Sequence, residues 1–93
     1  MSDASTGTTM RYLVMAMRTP AFDPAQGAAH QAYLQQLCER GVLMLKGGFA
    51  DGSGGAYVLE HVADMAEAQA IAAADPLHAS GSSVLTVHAW NTR

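Results

Sequence analysis

The residue pattern predicts an α+β fold in which two β-α-β units share one four-stranded antiparallel sheet, the ferredoxin-like βαββαβ arrangement with both helices on one face. Three observations carry this expectation. Four short apolar runs alternate with two segments of helical periodicity in the order β-α-β-β-α-β. The two middle runs are joined by ADGSGG, too polar and glycine-rich to be anything but a hairpin loop. A β-α-β crossover is right-handed, which leaves few other ways to close such a sheet.

Each element has its own reason. MSDASTGTT (1–9) is small, polar and without periodicity, and is expected to be a disordered tail ahead of a single domain over 10–93. RYLVMAM (11–17) is almost continuously apolar, which suits a strand covered on both faces. TPAFDP breaks that strand, and Asp23 followed by Pro24 is a helix-start signal, with a capping side chain and a proline in the first turn. The first helix is predicted to run to Arg40, where Gly41 can end it. VLMLKGGF (42–49) and AYVLEHV (56–62) are the hairpin strands. Asp64, with Glu67 three residues on, opens a second helix that continues through the alanines to Asp75. Pro76 stops it, because the ring disfavours helical geometry at the preceding residue and has no amide hydrogen to give. SVLTVHAW (83–90) is the closing strand.

Asp75 is the anomaly in this plan. A carboxylate at a helix C-terminus faces the negative end of the macrodipole, which costs from a few tenths to about 1 kcal/mol unless a cation or donor lies nearby. The predicted topology brings the start of the first helix, the end of the second and the hairpin tip to one end of the domain. His30, Tyr33, Leu34 and Leu37 recur at i, i+3, i+4 and i+7, so they form the stripe that faces the sheet. His30 and Asp75 therefore converge on the same end.

Composition removes several function classes. At 93 residues the chain buries roughly 60 to 65 per cent of its unfolded surface, enough for one thin core. A net charge of −3, with 14 per cent charged residues and no basic cluster, gives no footprint for nucleic acid. The longest apolar run, LVMAM, is far short of the roughly 20 residues that span a bilayer, and the N-terminus lacks signal-peptide features; a cytoplasmic location away from membranes is expected. Cys38 is the single cysteine, so no internal disulfide or CxxC site exists, and it is expected to be a small buried hydrophobe. DGSGG lacks both the GxGxxG context and GxxxxGK[ST], so nucleotide binding is unsupported, and no cofactor is expected. The strand RYLVMAM is apolar in both alternating directions, so the sheet face away from the helices needs a cover; a homodimer through the sheet faces is expected.

The combination of HQAYL after a strand and loop, GVLMLKGGFADG, a helix ending in DP and a last strand ending in AW resembles the YciI-like (YCII-related) family of dimeric α+β barrel proteins. The resemblance covers Met10 to Trp90. It implies a small-molecule site in which His30 and Asp75 are the active-site pair, and relatives that resemble dehalogenating or lactone-isomerising enzymes. Two departures stand out. The glycine-proline-phenylalanine turn of the family is Gly47-Gly48-Phe49 here, and an arginine often found before the histidine has no counterpart in AQGAAH.

A histidine beside a carboxylate has its tautomer and ring orientation fixed and its cationic form stabilised, which makes it a usable general base or acid. Proton abstraction beside a carbonyl, or proton movement on a ring, gains roughly 10²- to 10⁴-fold from such a group. The lyase, isomerase and dehalogenase classes fit that chemistry. The residues leave two other readings open: a structural pair in which each group merely satisfies the other, and a non-catalytic ligand-binding or regulatory dimer. Tyr33 is expected in the core with its hydroxyl near the pocket rim, Lys46 as a cation near the hairpin end, and Gly48 and Phe49 as further substrate contacts. His78, three residues after Asp75, is a candidate substrate contact, or with His30 and Asp75 a two-histidine, one-carboxylate metal face. His61 and His88 are expected on strands as sheet-face residues.

Overall fold

The strand that is apolar on both sides lies at the centre of the sheet. The computed structural model describes residues 7–93, with elements β1 (Thr9–Arg18), α1 (Gln26–Glu39), β2 (Leu43–Gly48), β3 (Gly54–Leu59), α2 (Met65–Ala73), α3 (Pro76–Ala79) and β4 (Ser83–Thr92). The strand order is β2-β3-β1-β4 and every neighbouring pair is antiparallel, the ferredoxin-like α+β topology. Side chains paired across antiparallel strands share a face. Tyr12 and Val14 of β1, with Tyr57 and Leu59 of β3, therefore meet Leu34 and Leu37 of α1 and Ala68, Ile71 and Ala72 of α2 in one buried core. No helix among the described residues is long and apolar enough to cross a membrane.

Residues 1–6, most of the stretch expected to be a tail, lie outside the described residues. Thr9 belongs to β1: it pairs with Thr92, whose hydroxyl donates to the Thr9 carbonyl at 2.8 Å. Both outer ends of the β1–β4 ladder thus extend beyond the apolar runs.

Helix α1 begins later than the Asp23-Pro24 signal suggests. Asp23 Oδ1 accepts from the amide of Ala25 at 2.9 Å, closing a local turn, and the N-cap itself is Ala25 with no side-chain bond. At the other end Gly41 takes φ +77°, the left-handed geometry that ends a helix. Cys38 is exposed rather than buried; one residue beyond the buried Leu37, it has rotated to the flank of the apolar stripe.

The β2–β3 hairpin is shifted towards its glycines. Gly54 and Gly55, expected in the loop, open β3 because the strands approach too closely there for any side chain: a Cβ on Gly54 would collide with the Ala16 carbonyl and one on Gly55 with the Gly47 carbonyl. The strand ends at Leu59, earlier than Val62. His61 is consequently in a turn and not on a strand; its φ of 58° leaves the extended region and its Nδ1 lies 3.0 Å from the Gly41 carbonyl.

Helix α2 starts as its residues dictate, with Asp64 Oδ1 accepting from the Glu67 amide at 2.9 Å and Glu67 Oε1 accepting from the Ala63 amide at 2.7 Å. It ends at Ala73, and a separate turn, α3, follows. Asp75 is the N-cap of α3: its Oδ1 accepts from the Leu77 amide at 2.9 Å and Pro76 occupies the first turn. The expected clash between a carboxylate and a helix C-terminus is thus resolved by a helix start one residue further on, where exposed amides favour a negative side chain.

Candidate functional site

Asp75 is completely buried. Three donors converge on its carboxylate: the Leu77 amide on Oδ1, the Tyr57 hydroxyl on Oδ2 at 3.0 Å, and His30 Nδ1, which lies 2.9 Å from Oδ1 and 3.0 Å from Oδ2. Each comes from a different element. The cap of α3 fixes the carboxylate, the α1 stripe brings His30, and period-two alternation in β3 turns Tyr57 towards the helices together with Leu59. With both oxygens accepting, Nδ1 of His30 is the donor, and Nε2 has no partner among the described residues. The His30 side chain is 15% exposed, so one edge of the ring is reachable.

Burial pushes the Tyr57 phenol well above its ordinary range, and the Asp75 charge and the hydrogen bond to it add to the effect. Tyr57 therefore stays a donor at any ordinary pH. Its ring is tilted at 46° to the His30 imidazole, with centroids 6.2 Å apart, which limits how the imidazole can swing.

His30 and Tyr57 line a cavity of about 310 Å³ between α1 and the helix side of the sheet, at the small end of the range for ligand pockets. Leu34, Leu77 and Phe22 supply apolar wall, Gly48, Gly55 and Ala16 a low floor, and Arg18, Gln31 and Lys46 polar groups. A β-bulge between Leu43 and Leu45 sets Lys46 in register with Tyr57 on this side of the sheet.

The structure brings together His30, Asp75, Lys46 and Gly48 of the residues singled out by sequence. Tyr33, Phe49 and His78 do not line the cavity. The Tyr33 hydroxyl donates to the Ile71 carbonyl at 2.8 Å. That carbonyl is free because the Asp75 amide, which would have bonded it in a continuing helix, turns to Ala72 instead. Burial, and then the Asp75 charge, raise the Tyr33 phenol as well. Phe49 opens the hairpin loop, its amide bonded to the Gly54 carbonyl at 2.8 Å. His78 is exposed on α3, and no cluster of three His, Cys, Asp or Glu side chains suited to a metal occurs among the described residues. His88 stands exposed on β4 in register with Leu13, on the sheet face away from the helices.

Sequence reasoning missed Tyr57, Arg18, Phe22 and Gln31. Tyr57 had a signal: a polar-tipped residue two positions before Leu59 in an apolar strand needs a buried partner for its hydroxyl. Arg18 had one too, as the position after Tyr12, Val14 and Ala16 in the alternation of β1; Phe22 had none, since its approach to the cavity depends on the path of the β1–α1 loop.

A four-stranded antiparallel sheet with a sealed aspartate, a half-open histidine and a small cavity on its helix side defines a class of small α+β proteins with one compact site. The model of the YCII-related domain matches residues 10–91, and the chain belongs to that family. The uncharacterized protein YjpA of Bacillus subtilis (strain 168) is 43% identical over 82 residues, which cover 88% of this chain and 95% of YjpA. Among solved structures, the 5-chloro-2-hydroxyhydroquinone dehydrochlorinase TftG of Burkholderia phenoliruptrix AC1100, in complex with 2,5-dihydroxybenzoquinone, superposes with a TM-score of 0.65 at 21% identity, over 86% of this chain and 92% of that one. That likeness is one of fold.

Proposed function

We propose that the protein is a small-molecule enzyme in which His30 Nε2 takes or gives a proton at the substrate, with Asp75 holding the imidazole and stabilising its cation. The observation behind this reading is the direction of the His30–Asp75 bond. Nδ1 is spent on a buried carboxylate at 2.9 Å, so the other nitrogen is the one presented at the cavity. A merely structural pair gains nothing from leaving that nitrogen open beside an empty cavity. Tyr57 and the Leu77 amide hold Asp75 from its far sides, so the base is oriented before the substrate arrives. Elimination of a leaving group, or proton transfer on a carbonyl or ring compound, uses one such group on the protein.

The working unit is a homodimer in the cytoplasm, joined through the sheet faces away from the helices. Leu45, Val84 and Trp90 stand exposed there and make an apolar surface that a second sheet would cover. Sedimentation of Leu45→Glu at micromolar concentration, against the wild type, is expected to give a folded monomer; a wild-type chain that already sediments as a folded monomer refutes the dimer.

The TftG ligand supplies the first compounds to try. Chlorinated hydroquinones are scored for chloride release, and hydroxyquinones in D2O for exchange of ring hydrogens, with wild type, His30→Gln and Asp75→Asn. The wild type is expected to act on at least one compound, His30→Gln to lose about 10²- to 10⁴-fold in rate, and Asp75→Asn to lose rate while remaining folded, because an amide bonds the imidazole without stabilising its cation. His30→Gln with wild-type rates on a compound that the wild type turns over refutes the acid-base role. Ligand binding with no turnover of any compound favours a sensing module instead.

A further inference from the structure

Two cations border the cavity with no acid to neutralise them. Lys46 Nζ is held at 2.8 Å by the amide oxygen of Gln31, a neutral acceptor. The Arg18 guanidinium lies over the Phe22 ring, its Cζ 4.2 Å from the centroid. Among the described residues neither makes an ion pair. Asp75 is sealed beneath His30 and Tyr57 with both oxygens bonded, and no Asp or Glu among the described residues lines the cavity. Charge of one sign, focused on a small concave site, selects ligands of the other.

The floor between these cations is bare. Gly48, Gly55 and Ala16 lie side by side across β2, β3 and β1, with Lys46 two residues to one side along β2 and Arg18 two residues to the other along β1, steps of roughly 6 to 7 Å each. Gly55 has to be glycine because of the Gly47 carbonyl. Gly48 does not: its φ is not left-handed, and a Cβ there would meet only the Gly54 carbonyl, at an ordinary 3.9 Å. Neither turn nor packing explains the missing side chain, whereas space above the floor does.

Building on the acid-base reading of His30, we infer that the cavity selects a small planar anion, a single ring bearing an acidic oxygen, laid on the strip of Gly48, Gly55 and Ala16. Lys46 and Arg18 meet its negative oxygens and His30 stands at its edge.

Isothermal titration at low salt tests this with salicylate and 2,5-dihydroxybenzoquinone, each against its neutral counterpart, salicylamide and the quinone's dimethyl ether. At least one anion is expected to bind about tenfold or more tighter than its counterpart, to lose about tenfold in Lys46→Met or Arg18→Met, and to weaken further with added salt. Gly48→Leu is expected to abolish that binding while leaving the melting temperature unchanged. Neutral compounds that bind as well as the anions, no binding of either anion, or affinities unmoved in both cation variants would overturn the inference. His30→Gln is titrated in parallel. Anion binding that depends on Lys46 while no compound is turned over leaves charge selection standing and removes the acid-base reading; turnover of a neutral compound with no anion bound does the reverse.

Discussion

The two faces of the sheet are built from the same strands and have opposite characters. On the helix side, Val14, Tyr57 and Leu59 are sealed against α1 and α2, and the one carboxylate there is met by three donors from three elements. On the other side, Leu45 is 64% exposed and Val84 57%, beside Trp90 and Met17. Arg11 on that face lies 3.8 Å from Glu60 through Nε and donates to the Thr92 hydroxyl, with Nε itself lacking a hydrogen bond. Alternation along each strand is the same on both faces, so strand chemistry does not separate them. What separates them is whether the chain supplies its own cover: where it does, polar groups are preorganised, and where it does not, apolar surface is left exposed.

That contrast can be broken by substitution. Asp75→Ala removes the acceptor for Tyr57, His30 and the Leu77 amide at once, and chemical denaturation is expected to show a loss of about 3 kcal/mol or more. A loss below 1 kcal/mol would mean that the helix side is not held by its polar centre. Next in size, Gly54→Ala drives a methyl group into the Ala16 carbonyl and is expected to cost about 1 to 3 kcal/mol, against no more than about 0.5 for Gly48→Ala in the same assay. Equal costs would dissolve the distinction between a glycine required by the fold and one that keeps space open.

Tyr57→Phe is expected to cost about 1 to 2 kcal/mol and to change the pH dependence. The folded phenol is held protonated well above the range in which an unfolded tyrosine ionises, about pH 10. The contribution of Tyr57 to stability is therefore complete below about pH 10 and declines as pH rises beyond it. Urea midpoints followed from pH 8 to about 11 are expected to fall more steeply in the wild type than in the variant, with Tyr33 giving both a residual slope of the same sign. Parallel slopes would refute the assignment. The smallest effect belongs to the open face: Leu45→Ala, measured at dilutions where sedimentation reads monomer, is expected to change stability by no more than about 0.5 kcal/mol.

The strand order and the meeting of His30 with Asp75 were legible because each rests on periodicity: β1 is apolar in both directions, and His30 shares a stripe with Leu34 and Leu37. The short helix α3 was not legible. DPLHAS contains a cap, a proline and two residues of low helix commitment, and one turn is too short to show a period, so Asp75 read as an end and not as a beginning. The start of β3 was hidden for a different reason. Gly54 and Gly55 look like loop residues in isolation, and only the proximity of the Ala16 and Gly47 carbonyls makes glycine a strand requirement. Tyr57 was readable in hindsight from its place two residues before Leu59. So was Arg18, one alternation beyond Ala16 on β1; Phe22 was not, because a loop path leaves no repeat to read.

The central position of β1 has a consequence for the order in which the domain is completed. Its two neighbours are β3 and β4, and the β4 ladder joins Thr9 to Thr92 and Arg18 to Ser83, contacts between strands far apart in the sequence. As the chain folds, β1 can pair with β3 across the shorter sequence separation, but its other edge stays open until β4 docks. An apolar central strand with one unpaired edge is the state most prone to pair with a neighbouring unfolded chain. The time β4 takes to dock therefore sets how long that edge is exposed, and the yield of folded protein on dilution from denaturant should fall as chain concentration rises.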